Sequence, residues 1–226
     1  MDRKRSVVKG EEIRRRIEEH NRRALKREAL PEKARCRHCK RVLSPDQFKY
    51  HGLRRRSFLV EIGDLIEKVS SWLVRLKCCF CKGTFTVYPE FALPYKRYTR
   101  QQIEERSAAY LEDPSCTYMK AAGGRLARCG YEQDERQFAG STVWRWITYL
   151  GGQVELLRKL CSYLAERFPQ TDFHRLIVKV SPKKARTEKR RRVLESARRL
   201  LHAWACLRAC EQAEIFTDFA TELGVP

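Results

Sequence analysis

Cys36-Arg37-His38-Cys39 and Cys78-Cys79-Phe80-Cys81 are the stretches on which the reading of this chain turns. Cysteines three apart can grip one metal ion from a tight turn, and two such pairs complete a tetrahedral site of four thiolates. The segment between them, residues 40 to 77, is longer than the shortest zinc-finger spacings and suits a zinc ribbon with an enlarged hairpin. Each pair also opens onto a basic, strand-like segment. The expectation is one structural Zn2+ on Cys36, Cys39, Cys78 and Cys81, against a competing reading as buried or redox cysteines.

The flanking sequence supports a ribbon. Trp72, Val74 and Leu76 alternate with Leu73, Arg75 and Lys77, the period of a strand running into Cys78. Phe85 and Val87 repeat the alternation after Cys81. Residues 36 to 98 carry 13 basic and 5 acidic groups, the densest positive region of the chain. Arg54, Arg55 and Arg56 lie between the knuckles and are expected at a hairpin rim, in contact with phosphates. His51 is expected as a spare ligand or a phosphate contact.

Across 226 residues, 48 Lys and Arg against 28 Asp and Glu give a net charge of +20. That balance favours a polyanionic partner and says nothing about fold. No apolar run approaches the ~20 residues that span a bilayer, and the basic start lacks the apolar stretch of a signal peptide. With four of ten cysteines in metal spacing, a reducing interior is expected: cytoplasmic, and nucleoid-associated in a bacterium. Neither a membrane nor a small-molecule substrate is expected as a partner. Cys79, Cys116, Cys129, Cys161, Cys206 and Cys210 are expected mostly as small core residues.

Four segments follow: a basic helical arm at 1–35, the ribbon at 36–98, a helix-turn-helix-like domain at 99–152, and a helical C-terminal region with a basic linker at 153–226. The fold class expected is α+β, mainly α. In the arm, Glu11 to Glu28 reads as a charged helix with a thin stripe at Ile13, Ile17, Ala24 and Leu25, which is marginal alone unless it docks. Thr99 with Gln102 is a capping-box pattern opening a helix that Asp113-Pro114 stops. A second helix is expected from Ser115–Thr117 through Leu126, weakened by Gly123-Gly124. A third begins at Ser141, with Val143, Trp146, Ile147 and Leu150 inward. Its other side presents Thr142, Arg145, Thr148 and Tyr149, with Trp144 at the flank and Ser141 as cap, which suits a major-groove reader or an ordinary surface helix. Further on, Val154, Leu157, Leu160, Cys161, Leu164 and Phe168 form one stripe, ended by Pro169. Val193, Ala197, Leu200, Leu201, Trp204 and Leu207 form another, after the basic stretch Lys183 to Arg192. That last stripe packs internally or against a second copy, and a homodimer would suit paired half-sites.

Arg75-Leu76-Lys77-Cys78-Cys79-Phe80-Cys81-Lys82-Gly83-Thr84-Phe85 resembles the second knuckle of the zinc ribbons that open insertion-sequence transposases. Leu93-Pro94-Tyr95-Lys96-Arg97-Tyr98-Thr99 resembles their linker into a helix-turn-helix, and Ser141-Thr142-Val143-Trp144-Arg145-Trp146 its third helix. The resemblance spans about residues 36 to 152. It implies double-stranded DNA as partner, with contacts from Arg54, Arg55, Arg56, Lys96, Arg97, Ser141, Thr142, Trp144, Arg145, Thr148 and Tyr149. The chain departs from the pattern at residues 131 to 140, where a helix-turn-helix usually has three or four. A catalytic domain of the transposase kind is not expected, since Asp172, Asp218 and Glu222 have no strand context for a two-metal site. The expected protein is therefore not an enzyme, but a transposase-like or regulatory DNA binder.

Two other classes stay open. An RNA-binding or assembly protein would use the ribbon and basic arms, stacking unpaired bases on Tyr95 and Tyr98 beside Lys96 and Arg97. An HNH-type nuclease would use the Cys-x-x-Cys pairs as scaffolding. It would need a convergent His base, whereas His20, His38, His51, His174 and His202 are scattered.

Overall fold

The computed structural model describes residues 3–62, 65–123, 139–167 and 185–210. It falls into two compact units, a first reaching to Gln102 and a second running from Ile103 to Ala213. The class is α+β.

The first unit is built on a long antiparallel hairpin. Strand β3 (Phe48–Ile62) pairs with β4 (Leu65–Cys78) from Phe48↔Cys78 to Ile62↔Leu65, and β5 (Thr84–Thr86) adds to the root of β4. A two-stranded piece, β1 (Ala34–Arg35) with β2 (Val42–Leu43), brackets the first Cys-x-x-Cys. The register shifts between Tyr50 and Gly52, leaving His51 as the extra, exposed residue of a bulge whose Gly52 has φ 141°. Arg54, Arg55 and Arg56 pair with Leu73, Trp72 and Ser71. They therefore sit in mid-ladder and not at the rim, because the hairpin runs several residues beyond them on each strand.

Both faces of this hairpin are covered. One buries Phe48, Val74, Leu76, Cys78 and Phe85 with Ala34, Cys36, Leu43 and Ala24. The other buries Phe58, Val60, Ile62 and Leu73 beneath Ile13 and Ile17. Leu73, which the alternation groups with Arg75 and Lys77, is only 1% exposed because α1 (Arg3–Leu25) lies over it. The thin stripe thus docks through Ile13, Ile17 and Ala24, while Leu25 stays exposed. Gly10 sets the closeness of that crossing: a Cβ there would fall 2.4 Å from the Glu61 carbonyl oxygen. Ion pairs from Arg14 to Glu67 (3.5 Å) and Arg16 to Glu90 (3.2 Å) tie the helix to the sheet and the segment after it.

The edges of the hairpin are filled by side chains and linker. Beyond the end of β5, the outward groups of β4 need other partners. Asn21 accepts from Trp72 N–H (2.8 Å) and donates to Ser70 O (2.9 Å), so its amide continues the ladder. His20 Nε2 donates to Trp72 O (2.9 Å), and Val87 N–H to Val74 O (2.9 Å). Burial pulls the His20 pKa below its ordinary value; the Trp72 carbonyl opposes this and Arg23 adds to it. On the far edge, Leu59 N–H donates to Arg97 O (2.8 Å). The Gln102 amide, oriented to suit its neighbours, donates to Leu59 O (2.7 Å) and accepts from Glu61 N–H (3.0 Å). Thr99 and Gln102 do meet, but Gln102 is spent on the sheet edge instead of closing a capping box.

The second unit is helical, with α2 (Arg100–Glu112) entering it at Ile103. A single turn, α3 (Tyr118–Ala121), is capped by Thr117 Oγ1 accepting from Lys120 N–H (3.1 Å). It is shorter than expected because Gly123 turns the chain with φ 100°; Leu126 and residues 131–138 lie outside the described residues. Helix α4 (Gly140–Gly151) starts at Gly140 with Ala139 as N-cap, so Ser141 is not the cap. A Cβ on Gly140 would press on Met119 and Tyr118 of α3, and one on Gly151 would meet the Val193 carbonyl oxygen at 2.3 Å. Val143, Trp146, Ile147 and Leu150 face inward as expected. Helix α5 (Val154–Arg167) buries Leu156, Leu160 and Leu164 and leaves Val154 exposed, a seam rotated from the expected stripe. Helix α6 (Glu188–Cys210) packs Ala197, Leu200, Leu201, Trp204 and Leu207 within the unit, against α4 and α5. Cys79, Cys116, Cys161 and Cys206 are half-buried and not fully core. Phe168, Pro169, Cys129 and Lys183 lie outside the described residues. No helix among the described residues is long and apolar enough to cross a membrane.

Asn21→Ala leaves the Trp72 N–H and Ser70 C=O without partners. The expected loss is about 1–3 kcal/mol of stability in the first unit, read by urea unfolding. An unchanged midpoint would mean water satisfies that edge equally well.

Candidate metal centre

Two turns of near-identical construction carry the four cysteines. In the first, Cys36 N–H donates to Arg41 O (2.9 Å) and Lys40 N–H to Cys36 O (2.9 Å). In the second, Cys78 N–H donates to Gly83 O (3.0 Å) and Lys82 N–H to Cys78 O (3.1 Å). The residue after each second cysteine is left-handed, Lys40 at φ 62° and Lys82 at φ 59°. Backbone N–H groups of His38 and Cys39 reach the Cys36 sulfur, and those of Phe80 and Cys81 reach the Cys78 sulfur. Such bonds stabilise a thiolate.

The four sulfurs lie within 4.8 Å of one another. Cys36 and Cys81 Sγ are 3.5 Å apart, and Cys39 and Cys78 Sγ 3.8 Å apart. A tetrahedral ion with metal–sulfur bonds of about 2.3 Å needs edges of about 3.8 Å. The cysteines are therefore positioned to bind a metal ion. With protons on the sulfurs the site is uneven: burial pushes Cys36 up, while Cys78 falls despite burial because the Cys81 and Phe80 N–H groups and neighbouring thiols donate to it.

The sulfurs are set into the core at the hairpin root. Cys36 and Cys78 are fully buried, Cys39 half-buried and Cys81 exposed. His38 is not a ligand: its Nε2 bonds Thr84 O (3.1 Å), and its ring lies on Gly83, where a Cβ would come within 2.6 Å of it. In the second knuckle the corresponding ring, Phe80, lies under Arg41 at 4.5 Å. His51 is absent from the cysteine group. Among the described residues the four cysteines are the metal-capable cluster; Asp172, His174, Asp218 and Glu222 lie outside them.

Arg37, between the two cysteines of its knuckle, starts a stack that spacing alone could not reveal. Its guanidinium lies over Tyr95 (5.6 Å) and Tyr88 (5.2 Å) and donates to Tyr95 Oη (3.1 Å). Arg56 lies over Tyr88 and Phe58 (5.5 Å each) and donates to Tyr88 Oη (3.2 Å) and Lys96 O (2.9 Å). The stack pins the linker to the knuckle and the hairpin.

The sequence-derived contact residues divide between the units. Arg54 and Arg97 are exposed, and Arg55 donates to Ser70 Oγ (3.2 Å). Arg56 is held as described, and burial lowers the Lys96 pKa. On α4, Ser141, Trp144 and Arg145 are exposed, with Thr142 and Tyr149 half-buried. Thr148 donates to Trp144 O (2.8 Å) and accepts from Arg190 (3.0 Å), whose guanidinium stacks on Trp144 (5.4 Å) and bonds Tyr118. Tyr98 is buried and unavailable for stacking, whereas Tyr95 is 79% exposed. No family model matches the chain, and neither the curated proteins nor the solved structures contain a match.

Gly83→Ala must push His38 off Thr84 O. We expect about tenfold weaker metal retention in competition with a chelator. In a His38→Ala background the same change should add little; equal losses in both backgrounds would remove His38 from the explanation.

Proposed function

We propose that the chain is a zinc-dependent double-stranded DNA-binding protein, transposase-like or regulatory, without a catalytic site of its own. The observation that carries this is the four-sulfur cluster at the root of a strongly basic hairpin. Four thiolates at tetrahedral spacing, joined by no oxygen or imidazole donor among the described residues, are a zinc donor set. In the bound state Cys36, Cys39, Cys78 and Cys81 hold the ion, which ties the two knuckles together and supplies folding energy. The hairpin is a zinc ribbon enlarged at its tip.

On this reading the ribbon supplies backbone contacts through Arg54, Arg55 and Arg97, and the basic start of α6 adds more. Helix α4 reads bases through Ser141, Thr142 and Arg145, with Tyr149 beside them. Trp144 and Thr148 serve instead as the seat of Arg190, and Arg56 and Lys96 serve to fix the linker. Phosphate contacts provide most of the affinity, so binding falls steeply with salt.

Arg145→Ala should cost about 1–3 kcal/mol on a selected duplex and much less on random duplex, measured by titration at fixed salt. Equal losses on both would make Arg145 a phosphate contact. Failure of the zinc-loaded protein to bind any duplex at low salt would contradict the function.

A further inference from the structure

The metal end of the first unit carries exposed aromatic rings, each with a guanidinium laid against it. Phe80 is 46% exposed and Arg41 lies 4.5 Å from its centroid. Tyr95 is 79% exposed, held in a left-handed conformation at φ 60°, and Arg37 lies 5.6 Å from its centroid. One guanidinium comes from within the first knuckle and the other from the second residue after it. Phe80, between Cys78 and Cys81, is not part of the core cluster that Cys78 enters.

The charge around these rings is one-sided. Residues 33–45 and 75–89 hold eight Lys and Arg and no Asp or Glu. A divalent ion with four thiolates is a dianion, so the cations exceed what the site itself needs. Lys40 and Lys82, both exposed, follow the two knuckles directly. Exposed rings with cations at their faces match the requirements of an unpaired nucleobase and its phosphate. The ring takes the base's π-face while the cations take the backbone. A stacked duplex does not offer that face.

We infer that the knuckle end is a binding site for single-stranded polynucleotide, with Phe80/Arg41 and Tyr95/Arg37 as base-stacking platforms. The inference rests on the nucleic-acid reading above and deepens it: duplex is gripped along the hairpin and α4, and unpaired bases are taken at the metal end. Arg41 covers one face of Phe80, and a base stacks on what remains open. Tyr95 contributes in the same way, its ring braced by the hydrogen bond from Arg37.

The test uses full-length zinc-loaded protein and fluorescence anisotropy with three labelled probes: a single-stranded oligo-dT, a single-stranded oligo-rU, and a blunt duplex. Phe80→Ala should weaken binding to the single strands by at least about fivefold and leave the duplex unchanged. Phe80→Trp should restore it, and zinc content should be equal in all three proteins. Comparing oligo-dT with oligo-rU shows which backbone is preferred. Single-strand binding that is absent in the wild type, or equal in Phe80→Ala and wild type, overturns the site. So does an equal loss on duplex and single strand, which would make the region a general phosphate patch. Single-strand binding that depends on Phe80 in a protein that ignores duplex would sustain this site while removing the duplex function.

Discussion

Four sulfur atoms brought within 4.8 Å of one another from two distant turns are the constraint on which the first unit depends. The first knuckle lies between β1 and β2, both knuckles meet the root of the β3–β4 hairpin, and Arg37 of the first braces the linker. Two of the four sulfurs belong to the hydrophobic cluster at that root. The cysteine cluster and the core therefore share residues. On the zinc reading, losing the ion would leave four thiols crowded together at the root of the hairpin, two buried, one half-buried and one exposed.

Above that root, the hairpin is long and two-faced, and it would expose a bare strand edge if left alone. The chain covers it from both directions. Helix α1 lays Ile13 and Ile17 on one face and reaches round with His20, Asn21 and Ala24, while the linker and Gln102 close the opposite edge. The cationic stack from Tyr95 through Arg37, Tyr88 and Arg56 to Phe58 then joins linker, knuckle and hairpin. Arginines in this protein thus divide between two tasks. Some, such as Arg56 and Arg190, are fixed by aromatic faces and hydrogen bonds; others, such as Arg54, Arg97 and Arg145, remain exposed.

Much of this was legible in the residues. The Cys-x-x-Cys spacing located all four sulfurs of the cluster, the alternation into Cys78 located β4, and the period of α4 sorted its inward face. The rest depended on partners remote in sequence. That Arg54–Arg56 lie in mid-ladder follows from pairing with Ser71–Leu73, which no local pattern encodes. Gly140 opens α4 where a side chain would press on Met119, and the Gln102 amide bonds a strand edge contributed by Leu59 and Glu61. Trp144 and Thr148 looked free because Arg190, 42 residues beyond Thr148, is what occupies them. One local signal was available and easily passed over: each knuckle runs Cys-x-x-Cys-Lys, and the lysine is left-handed in both.

The most direct test of the account is native mass spectrometry of the purified protein, coupled to mapping of cysteine alkylation with and without a strong chelator. The account predicts one zinc ion per chain, with Cys36, Cys39, Cys78 and Cys81 protected together until the metal is removed and then alkylated together. A folded, metal-free chain in which these four thiols react independently would contradict it.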